Sequence, residues 1–246
     1  MSVRIAIFGG TSAIALAVAR RYAAEKARIV LVARDAAALE RERADLSVRG
    51  AEVVSLQADF TDFAALPAVA RAAWDAFGGL DIALVAYGSL PDQGEATASA
   101  RAAEQALSLN FTSPALLLGE LANLFASTRA GCIAAITSVA GDRGRQSNYV
   151  YGAAKGGLQR FLEGMRHRLW RDGVAVLDIR PGFVSTPMTA HLPQGGPLWA
   201  TPDAVAKDIV AAIGKRRAVL YTPWFWRFIL LIVSFLPRPL FHRSRL

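Results

Sequence analysis

The chain has 246 residues, a formal net charge of +8 and a single cysteine, Cys132. That length suffices for one α/β domain with a substantial core, whereas one cysteine excludes a disulfide framework, and three scattered histidines give no metal-ligand spacing, so no metal is expected. The basic balance suits phosphorylated ligands or an anionic membrane surface, but no nucleic-acid-binding motif accompanies it, so nucleic acid is not expected as a partner.

Strand-like apolar runs alternate with helical patterns from the N-terminus onward. The first run, VRIAIF, begins at the third residue, and no signal-peptide pattern precedes it, so we expect a cytoplasmic protein. This alternation predicts right-handed βαβ crossovers, and therefore a single doubly wound, Rossmann-type parallel sheet of about seven strands with helices on both faces. The predicted strands are VRIAIF, RIVLVAR, AEVVSLQAD, DIALVAYG, GCIAAITS and GVAVLDIRPG, and helices after the third strand are predicted at 62–78, about 100–127 and 149–171.

The first strand ends in a glycine-rich turn. Gly9 and Gly10 let the backbone bend sharply and approach a diphosphate, Thr11 and Ser12 add hydroxyl donors, and the next helix offers free N–H groups at its N-terminus. Alanines stand where two further glycines would complete a dinucleotide-binding fingerprint. The segment predicts a phosphate cradle, with a plain tight turn as the alternative.

The ends of the second and third strands bear on which dinucleotide would bind. The second strand ends in Ala33-Arg34, where an acidic residue would hydrogen-bond a ribose 2′-hydroxyl. An arginine instead accommodates a 2′-phosphate, so Arg34 favours NADP(H) over NAD(H); the alternative is a surface pair of Arg34 with Asp35. Asp59, at the end of the third strand, suits contact with the adenine edge or capping of the next helix.

Ser138, Tyr151 and Lys155 form the candidate catalytic group. Ser138 follows the GCIAAIT run, and helical periodicity from Tyr151 onward places Tyr151 and Lys155 one turn apart on the same face. A nearby ammonium favours the phenolate, so Lys155 is expected to lower the pKa of Tyr151 from about 10 toward working pH. Such a group suits protonation of a carbonyl oxygen, or deprotonation of an alcohol, while a hydride moves at carbon. A lone Tyr-x-x-x-Lys pair also arises by chance on solvated helices.

Together these segments resemble the short-chain dehydrogenase/reductase family over nearly the whole chain. The family's glycine motif corresponds to residues 8–15, its Asn-Asn-Ala-Gly motif to residues 85–88, and its Pro-Gly segment to residues 181–186. The family's serine, tyrosine and lysine correspond to the catalytic group above. Tyr149 is set aside, because only Tyr151 has a lysine four residues later.

The resemblance implies a role for each catalytic position. Tyr151 would donate the proton in reduction, Lys155 would hold the nicotinamide ribose, and Ser138 would polarise the substrate carbonyl. Asn110, which matches the family's helix asparagine, would support a water that relays protons through Lys155. The implied cofactor-binding residues are Gly9, Thr11, Ser12, Ile14, Arg34, Asp59, Phe60, Ala86, Gly88, Tyr151, Lys155, Pro181, Gly182, Val184 and Thr186.

Within the family, a closer likeness is to reductases of decaprenylphosphoryl-linked 2-keto-pentoses, and it rests on FGGTSAIA, VAYG, NYVYGAAKGGL, IRPGFVSTPMTAHLP and FLPRPLFHR. It implies an NADPH-dependent keto-reductase that reduces the 2-keto group of a polyprenyl-phosphate-linked keto-pentose in cell-wall arabinose formation, with a flavin-dependent oxidase as partner enzyme. The alternatives are a reductase of another membrane-resident carbonyl, such as a steroid, acyl chain or quinone, and an NADP-binding regulator without catalysis. Family habit implies a homo-oligomer.

Residues 183–200 lack a regular pattern and contain two adjacent glycines and three prolines. Such a segment beside the Pro-Gly turn predicts a lid over the substrate. The candidate substrate contacts, which could equally pack the lid or the motif around them, are Met188, His191, Trp199 and Tyr87.

Residues 223–246 form an apolar and basic tail beyond the domain of residues 1–222. Thr222 and Pro223 predict a helix start, with a capping hydroxyl and a proline in the first turn. The run WFWRFILLIVSFL would rise about 20 Å as a helix, short of the roughly 30 Å of a bilayer core, so it should lie at one membrane surface. The alternative is packing against its own domain or a subunit interface. The tail arginines suited to the inner face of a cell membrane are Arg227, Arg238, Arg243 and Arg245.

Overall fold

The computed structural model describes residues 2–244; Arg245, one of the tail arginines above, lies outside this range. The strands are β1 (Arg4–Phe8), β2 (Arg28–Ala33), β3 (Glu52–Gln57), β4 (Ile82–Val85), β5 (Cys132–Ile136), β6 (Ala175–Pro181), β7 (Phe183–Val184), β8 (Trp199–Ala200) and β9 (Val219–Thr222). The helices are α1 (Ala13–Ala24), α2 (Ala36–Val48), α3 (Leu66–Asp75), α4 (Gln93–Ala98), α5 (Ala100–Leu107), α6 (Ser113–Thr128), α7 (Tyr149–Leu169), α8 (Pro202–Gly214), α9 (Trp226–Phe235) and α10 (Arg238–Arg243).

Seven of these strands form one parallel sheet in the order β3-β2-β1-β4-β5-β6-β9, which confirms the predicted doubly wound architecture. The seventh strand, β9, had not been located from the sequence. The order reverses between β1 and β4, the place where such folds open a crevice beyond the carboxyl ends of their strands. The short strands β7 and β8 pair with each other and close the base of the predicted lid.

Helices cover both faces of the sheet because its central strands are apolar throughout. In β1, Ile5 and Ile7 pack into a core with α1, α2 and α8, whereas Ala6 and Phe8 pack into a second core with α3, α6 and α7. Successive side chains of a strand point to opposite faces, so a fully apolar strand needs cover on both.

The long helix predicted for about 100–127 is divided by a π-helical turn, Ser108–Thr112, between α5 and α6. Asn110 lies in that turn and donates from Nδ2 to the Ala106 carbonyl at 3.0 Å. Pro114, in the first turn of α6, has no N–H to continue a regular helical ladder. Turns of this kind occur often at functional sites.

Two other helix starts differ from the prediction. The helix predicted for 62–78 begins at Leu66, because Asp59 accepts the Thr61 N–H at 2.9 Å and thereby forms a turn before it. The start predicted at Thr222 is wrong: its hydroxyl donates to Asp208 of α8 at 2.7 Å, and Thr222 is the last, fully buried residue of β9. The tail helix α9 therefore begins only at Trp226.

Within residues 2–244, no helix combines the length and the apolar character needed to cross a membrane.

Candidate active site

Three predicted catalytic residues meet at the carboxyl edge of the sheet. Ser138 follows β5, and Tyr151 and Lys155 lie in the first two turns of α7. The Ser138 hydroxyl lies close enough to the Tyr151 phenol to favour a lower pKa of that phenol. The Lys155 ammonium lies 5.8 Å from the centre of the Tyr151 ring.

Gly88 brings the fourth residue, Asn110, against the same group. A β-carbon on Gly88 would lie 2.6 Å from Asn110 Oδ1 and 3.4 Å from Lys155 Nζ, and the Gly88 φ of +156° also disfavours a side chain. Asn110 is fully buried, and its Oδ1 accepts the N–H of Ser89 at 3.1 Å. The loop after β4 thus fixes Asn110 beside Lys155.

Glycines let the turn after Ser138 lie directly on α7. A β-carbon on Gly141 would stand 2.7 Å from the Gly156 nitrogen, and one on Gly152 would stand 2.9 Å from the Ala140 oxygen. Larger residues at these positions would push the turn away from the helix. The spacing between Ser138 and Tyr151 therefore depends on residues outside the catalytic group.

Burial dominates the electrostatics of the group. It raises the pKa of Tyr151 to about 12, opposed by the nearby Ser138 hydroxyl. It lowers the pKa of Lys155 to about 8, opposed by the negative charge of Asp178. Near neutral pH, Tyr151 is thus a neutral phenol able to donate a proton, and Lys155 is mainly a cation.

The expected lowering of the Tyr151 pKa by Lys155 is therefore wrong for this geometry. Lys155 Nζ donates to the Ile136 carbonyl at 3.2 Å, and at 5.8 Å from the phenol ring its charge does not offset the desolvation of Tyr151.

Tyr149, which was not expected to be catalytic, lies on the exposed side of α7 with its hydroxyl 2.9 Å from that of Thr97.

A cleft of about 230 Å³ opens where the strand order reverses. Gly9 has a φ of +86°, and a β-carbon there would stand 2.7 Å from the Tyr87 nitrogen, so the turn after β1 needs its bare backbone. Ser12 caps α1 by accepting the Ala15 N–H at 3.3 Å. This cradle of backbone and hydroxyl groups at a helix start fits a dinucleotide diphosphate. The predicted cofactor residues that line the cleft are Gly9, Thr11, Ser12, Arg34, Asp59, Phe60, Ala86 and Gly88.

Arg34 projects from the end of β2 into the rim of this cleft. The alternative pairing with Asp35 does not form, because the Asp35 carboxylate caps α2 by accepting the Ala38 N–H at 2.9 Å. Asp59 lies across the rim, and hydrogen bonds from Thr61, with a smaller effect of Arg34, lower its pKa. The rim therefore offers a cation where a 2′-phosphate would bind.

Tyr87 lines this cleft, and its side chain is fixed by two contacts. Its ring stacks on Phe60 with centroids 3.9 Å apart, and its hydroxyl lies 2.8 Å from that of Ser113. The phenolic end of Tyr87 is thus held in the core beneath α6, and the contact of Tyr87 with a substrate stays a prediction. Phe60 is itself buried as the partner of this stack.

The Pro-Gly segment lies against the tail helix. A β-carbon on Gly182 would stand 1.9 Å from the Trp226 indole nitrogen, so the indole occupies the space that a side chain would need. The remaining predicted cofactor residues of this segment are the buried Pro181 and Val184, and Thr186, whose N–H bonds Thr189 Oγ1 at 3.2 Å. Ile14, predicted with them, is partly buried at the start of α1 and packs against the same core as Val184, so its contact with a cofactor stays a prediction.

The other three predicted substrate residues lie in different parts of the lid. Met188 is exposed and reaches the cofactor cleft, whereas His191 is exposed farther along the lid. Trp199 stacks on Phe183 at 5.2 Å, which joins the two ends of the lid. Phe183 also meets Trp226 of α9 edge-on at 5.2 Å, so the lid and the tail helix are in direct contact.

The tail helix is anchored on the turn that follows Ser138. Trp226 and Leu230 form a small buried cluster with Val139. Arg143 donates to the carbonyls of Val233 and Leu236 at the end of α9, the latter at 3.0 Å. The first residues of the tail thus form a wall of the candidate site, which is one of the two alternatives that the sequence left open.

Four charged or polar residues around Ser138 were not predicted from the sequence. They connect the residues on both sides of Ser138 with α7, β6 and β9 through buried and partly buried hydrogen bonds. One available signal was the presence of two charges, two positions apart, in the otherwise apolar strand AVLDIRP. The missed residues are Asp142, Gln159, Asp178 and Arg180.

The sequence is similar to a known protein family and to several known proteins. The family model described as short chain dehydrogenase matches residues 4–196. An uncharacterized oxidoreductase of Mycobacterium tuberculosis strain H37Rv is 35% identical over 240 residues, which cover 97% of this chain and 96% of the relative. The ketoacyl reductase HetN of Nostoc sp. is 28% identical over 216 residues, which cover 86% of this chain and 75% of the relative.

Solved structures share the fold. A short-chain dehydrogenase from Sphingobium yanoikuyae in complex with NADPH superposes with a TM-score of 0.82 at 24% identity, covering 96% of this chain and 97% of that one. An actinorhodin polyketide ketoreductase variant with NADPH superposes with a TM-score of 0.79 at 22% identity, covering 89% and 95%.

Proposed function

Because the chain is an oxidoreductase of the short-chain dehydrogenase/reductase family, we propose that it is an NADPH-dependent keto-reductase of a lipid-linked substrate. The observation that carries the reductase proposal is the meeting of Ser138, Tyr151 and Lys155, with Asn110 held against Lys155 by Gly88. This arrangement places a neutral phenol, a hydroxyl and an ammonium at the edge of the sheet where the family's cofactor binds.

The residues of the group divide the work of carbonyl reduction. The residues that line the cleft would hold NADPH, which would supply the hydride. The Ser138 hydroxyl orients the substrate carbonyl, and Tyr151 gives its phenolic proton to the carbonyl oxygen as negative charge develops there. Lys155, a cation below a pH of about 8, would hold the nicotinamide ribose, and Asn110 holds the neighbouring loop in place.

Arg34 sets the preference for NADPH in this proposal. Replacing it in Arg34→Ala should weaken NADPH binding about 10- to 100-fold, because a charge-assisted hydrogen bond contributes roughly 1.5–3 kcal/mol, and should leave NADH binding unchanged. Fluorescence titration with both dinucleotides measures this. An unchanged ratio of the two dissociation constants would refute the role of Arg34, and Arg41→Ala, an exposed arginine on the nearby helix α2, is the control.

The lipid part of the proposal rests on the exposed face of α9. Phe228, Leu231, Ile232 and Phe235 are 54% to 79% exposed and follow one face of the helix, while Trp226 on the other face contacts the lid. An apolar surface next to a substrate lid suits a substrate that stays partly in a membrane. The tail, residues 223–246, has four arginines and no acidic residue, which complements an anionic lipid surface.

Arg145 supports a phosphorylated substrate. It lies in the loop between Ser138 and Tyr151, and burial lowers its pKa. Its Nε is enclosed without a hydrogen-bond partner among residues 2–244. A desolvated guanidinium is well suited to a phosphate. We therefore propose a polyprenyl-phosphate-linked 2-keto-pentose as the substrate, reduced at C2, with a flavin-dependent oxidase as the enzyme that forms the ketone.

Membrane association is best tested by substitutions in the tail. Deleting the tail would also remove Trp226 and thereby one wall of the site. The variant with Leu231→Ser, Ile232→Ser and Phe235→Ser should bind anionic phosphatidylglycerol vesicles at least about tenfold more weakly, because each lost side chain forfeits roughly 1.5–3 kcal/mol of apolar burial. Co-sedimentation measures it. Val48→Ser, at an 89% exposed position on α2, is the matched control.

Two results would contradict the membrane proposal. The first is equal vesicle binding by the triple variant and wild type. The second is vesicle binding that persists while self-association is lost, because the exposed face would then be covered by a second copy of the chain.

A second candidate function keeps the chemistry and changes the substrate to a β-keto acyl chain. The relatives named ketoacyl reductases favour it. A panel of lipid-linked keto-pentose and acetoacetyl thioester, each followed by NADPH oxidation, separates the two, since the preferred substrate should have the higher kcat/KM.

A further inference from the structure

The turn after Ser138 is closed by a buried carboxylate. Asp142 accepts hydrogen bonds from Gln159 at 3.1 Å, from Arg180 at 3.0 Å and from the Tyr221 hydroxyl at 2.8 Å. Gln159 uses the same amide nitrogen to bond the Ser138 carbonyl at 2.8 Å. The backbone on the far side of Ser138 is thereby fastened to α7, β6 and β9.

A second carboxylate holds the residue before Ser138. Thr137 Oγ1 donates to Asp178 at 2.6 Å, and Asp178 is 1% exposed. The Thr137 N–H also donates to the Ile179 carbonyl at 2.7 Å. The end of β5 is therefore tied to β6 by side chain and backbone together.

One guanidinium joins the two carboxylates. Arg180 donates from Nε to Asp178 at 2.7 Å and from a terminal nitrogen to Asp142 at 3.0 Å, and it also contacts the Tyr221 hydroxyl at 2.9 Å. Its side chain is 17% exposed and that of Asp142 is 7% exposed. The planar fork of arginine can satisfy two acceptors in different directions, which a lysine ammonium on a flexible stem does not do with fixed geometry.

Several cations besides Arg180 act on the two carboxylates: Lys155 and Arg166 on Asp178, and Arg145 on Asp142. Asp142 and Asp178 supply two negative charges, which Arg180 alone does not balance. The charge of Asp178 opposes the lowering of the Lys155 pKa by burial. Buried charges that lack such partners are strongly unfavourable. The network therefore reaches the catalytic group from two directions, at the backbone of Ser138 and at the charge of Lys155.

We propose that Arg180 is a positioning residue for Ser138, acting through Asp142 and Asp178 on the two sides of the catalytic serine. It does not touch the reacting atoms. Its role is to fix the turn so that the Ser138 hydroxyl stays beside the Tyr151 phenol. The kinetic test of this inference rests on the proposed reductase activity, whereas its structural test does not.

The test compares Arg180→Lys with wild type. Lysine keeps the charge and loses the fork, so kcat for the ketone reduced in the substrate panel should fall about 10- to 100-fold while KM for NADPH stays within about twofold. A crystal structure of the variant should show Ser138 Oγ moved away from Tyr151. Tyr221→Phe, which removes one hydroxyl and no charge, should lower kcat severalfold in a folded protein.

Arg4→Lys is the matched control, because Arg4 forms an ion pair with Asp81 at the opposite end of the sheet. It should lower the melting temperature and leave kcat unchanged. Wild-type kcat in both Arg180→Lys and Tyr221→Phe, or an unmoved Ser138 in the Arg180→Lys crystal structure, would overturn the proposal. If wild type reduces no ketone in the panel, the proposed function fails, and the position of Ser138 in the crystal structures still decides the role of Arg180.

Discussion

Replacing Tyr151 with phenylalanine should reduce ketone turnover by roughly 10²- to 10⁴-fold, the range in which loss of a general acid falls. The phenol is the group whose raised pKa keeps it protonated near neutral pH, and phenylalanine retains its ring without the proton. NADPH affinity should change by no more than about fivefold, equivalent to one neutral hydrogen bond. Steady-state kinetics and NADPH titration together measure both quantities.

Tyr149→Phe is the control for this result, because Tyr149 lies two residues away on the exposed side of the same helix. It should leave kcat unchanged. Turnover in Tyr151→Phe within tenfold of wild type, or an equal loss in Tyr149→Phe, would show that the proton comes from another group.

Gly182→Ala should have the largest effect on stability. The added methyl would stand 1.9 Å from the Trp226 indole nitrogen, so α9 must move or the Pro-Gly segment must shift. We expect a loss of about 3 kcal/mol in the free energy of unfolding, as for other overpacked sites. Reductase activity should fall as well, because Trp226 also contacts Phe183 at the base of the lid. Urea unfolding, monitored by tryptophan fluorescence, measures the change in the free energy of unfolding.

Gly144→Ala provides the comparison, since a β-carbon at Gly144 meets nothing within 4 Å. Its stability should stay within about 0.5 kcal/mol of wild type. Equal stability of Gly182→Ala and wild type would mean that the tail helix does not pack on the Pro-Gly segment as described.

The architecture was predictable because the local pattern and the global fold agree. The apolar run of β1 requires that helices cover both faces of the sheet. Both faces are covered, because Ile5 packs into one core and Phe8 into the other. Strand β9 was harder to locate: four residues between a basic segment and the aromatic tail carry little periodicity, and their pairing with Arg180 and Pro181 is a long-range property.

The tail shows why a local capping signal can mislead. Thr222 before a proline is a good helix start by local preference. A capping hydroxyl must, however, point toward the N–H groups of the first helical turn. In the folded chain, the Thr222 hydroxyl instead donates a hydrogen bond to Asp208, fourteen residues earlier in the sequence. Tertiary contact thus decided where β9 ends and where α9 begins.

The candidate site was predictable where its residues lie in short motifs and unpredictable where they do not. Tyr151 and Lys155 are one helical turn apart, so their spacing is visible in the sequence. Asp142, Gln159 and Arg180 come from three separate elements, and only the sheet order brings them together. The pKa of Tyr151 was mispredicted for the same reason, because burial depends on the whole fold.

The most direct test of the proposed function is NADPH oxidation by the purified protein with a decaprenylphosphoryl-linked 2-keto-pentose. We expect ketone-dependent oxidation of NADPH, formation of the corresponding alcohol at C2, and loss of both in Tyr151→Phe. A wild-type rate no higher than that of Tyr151→Phe would contradict it.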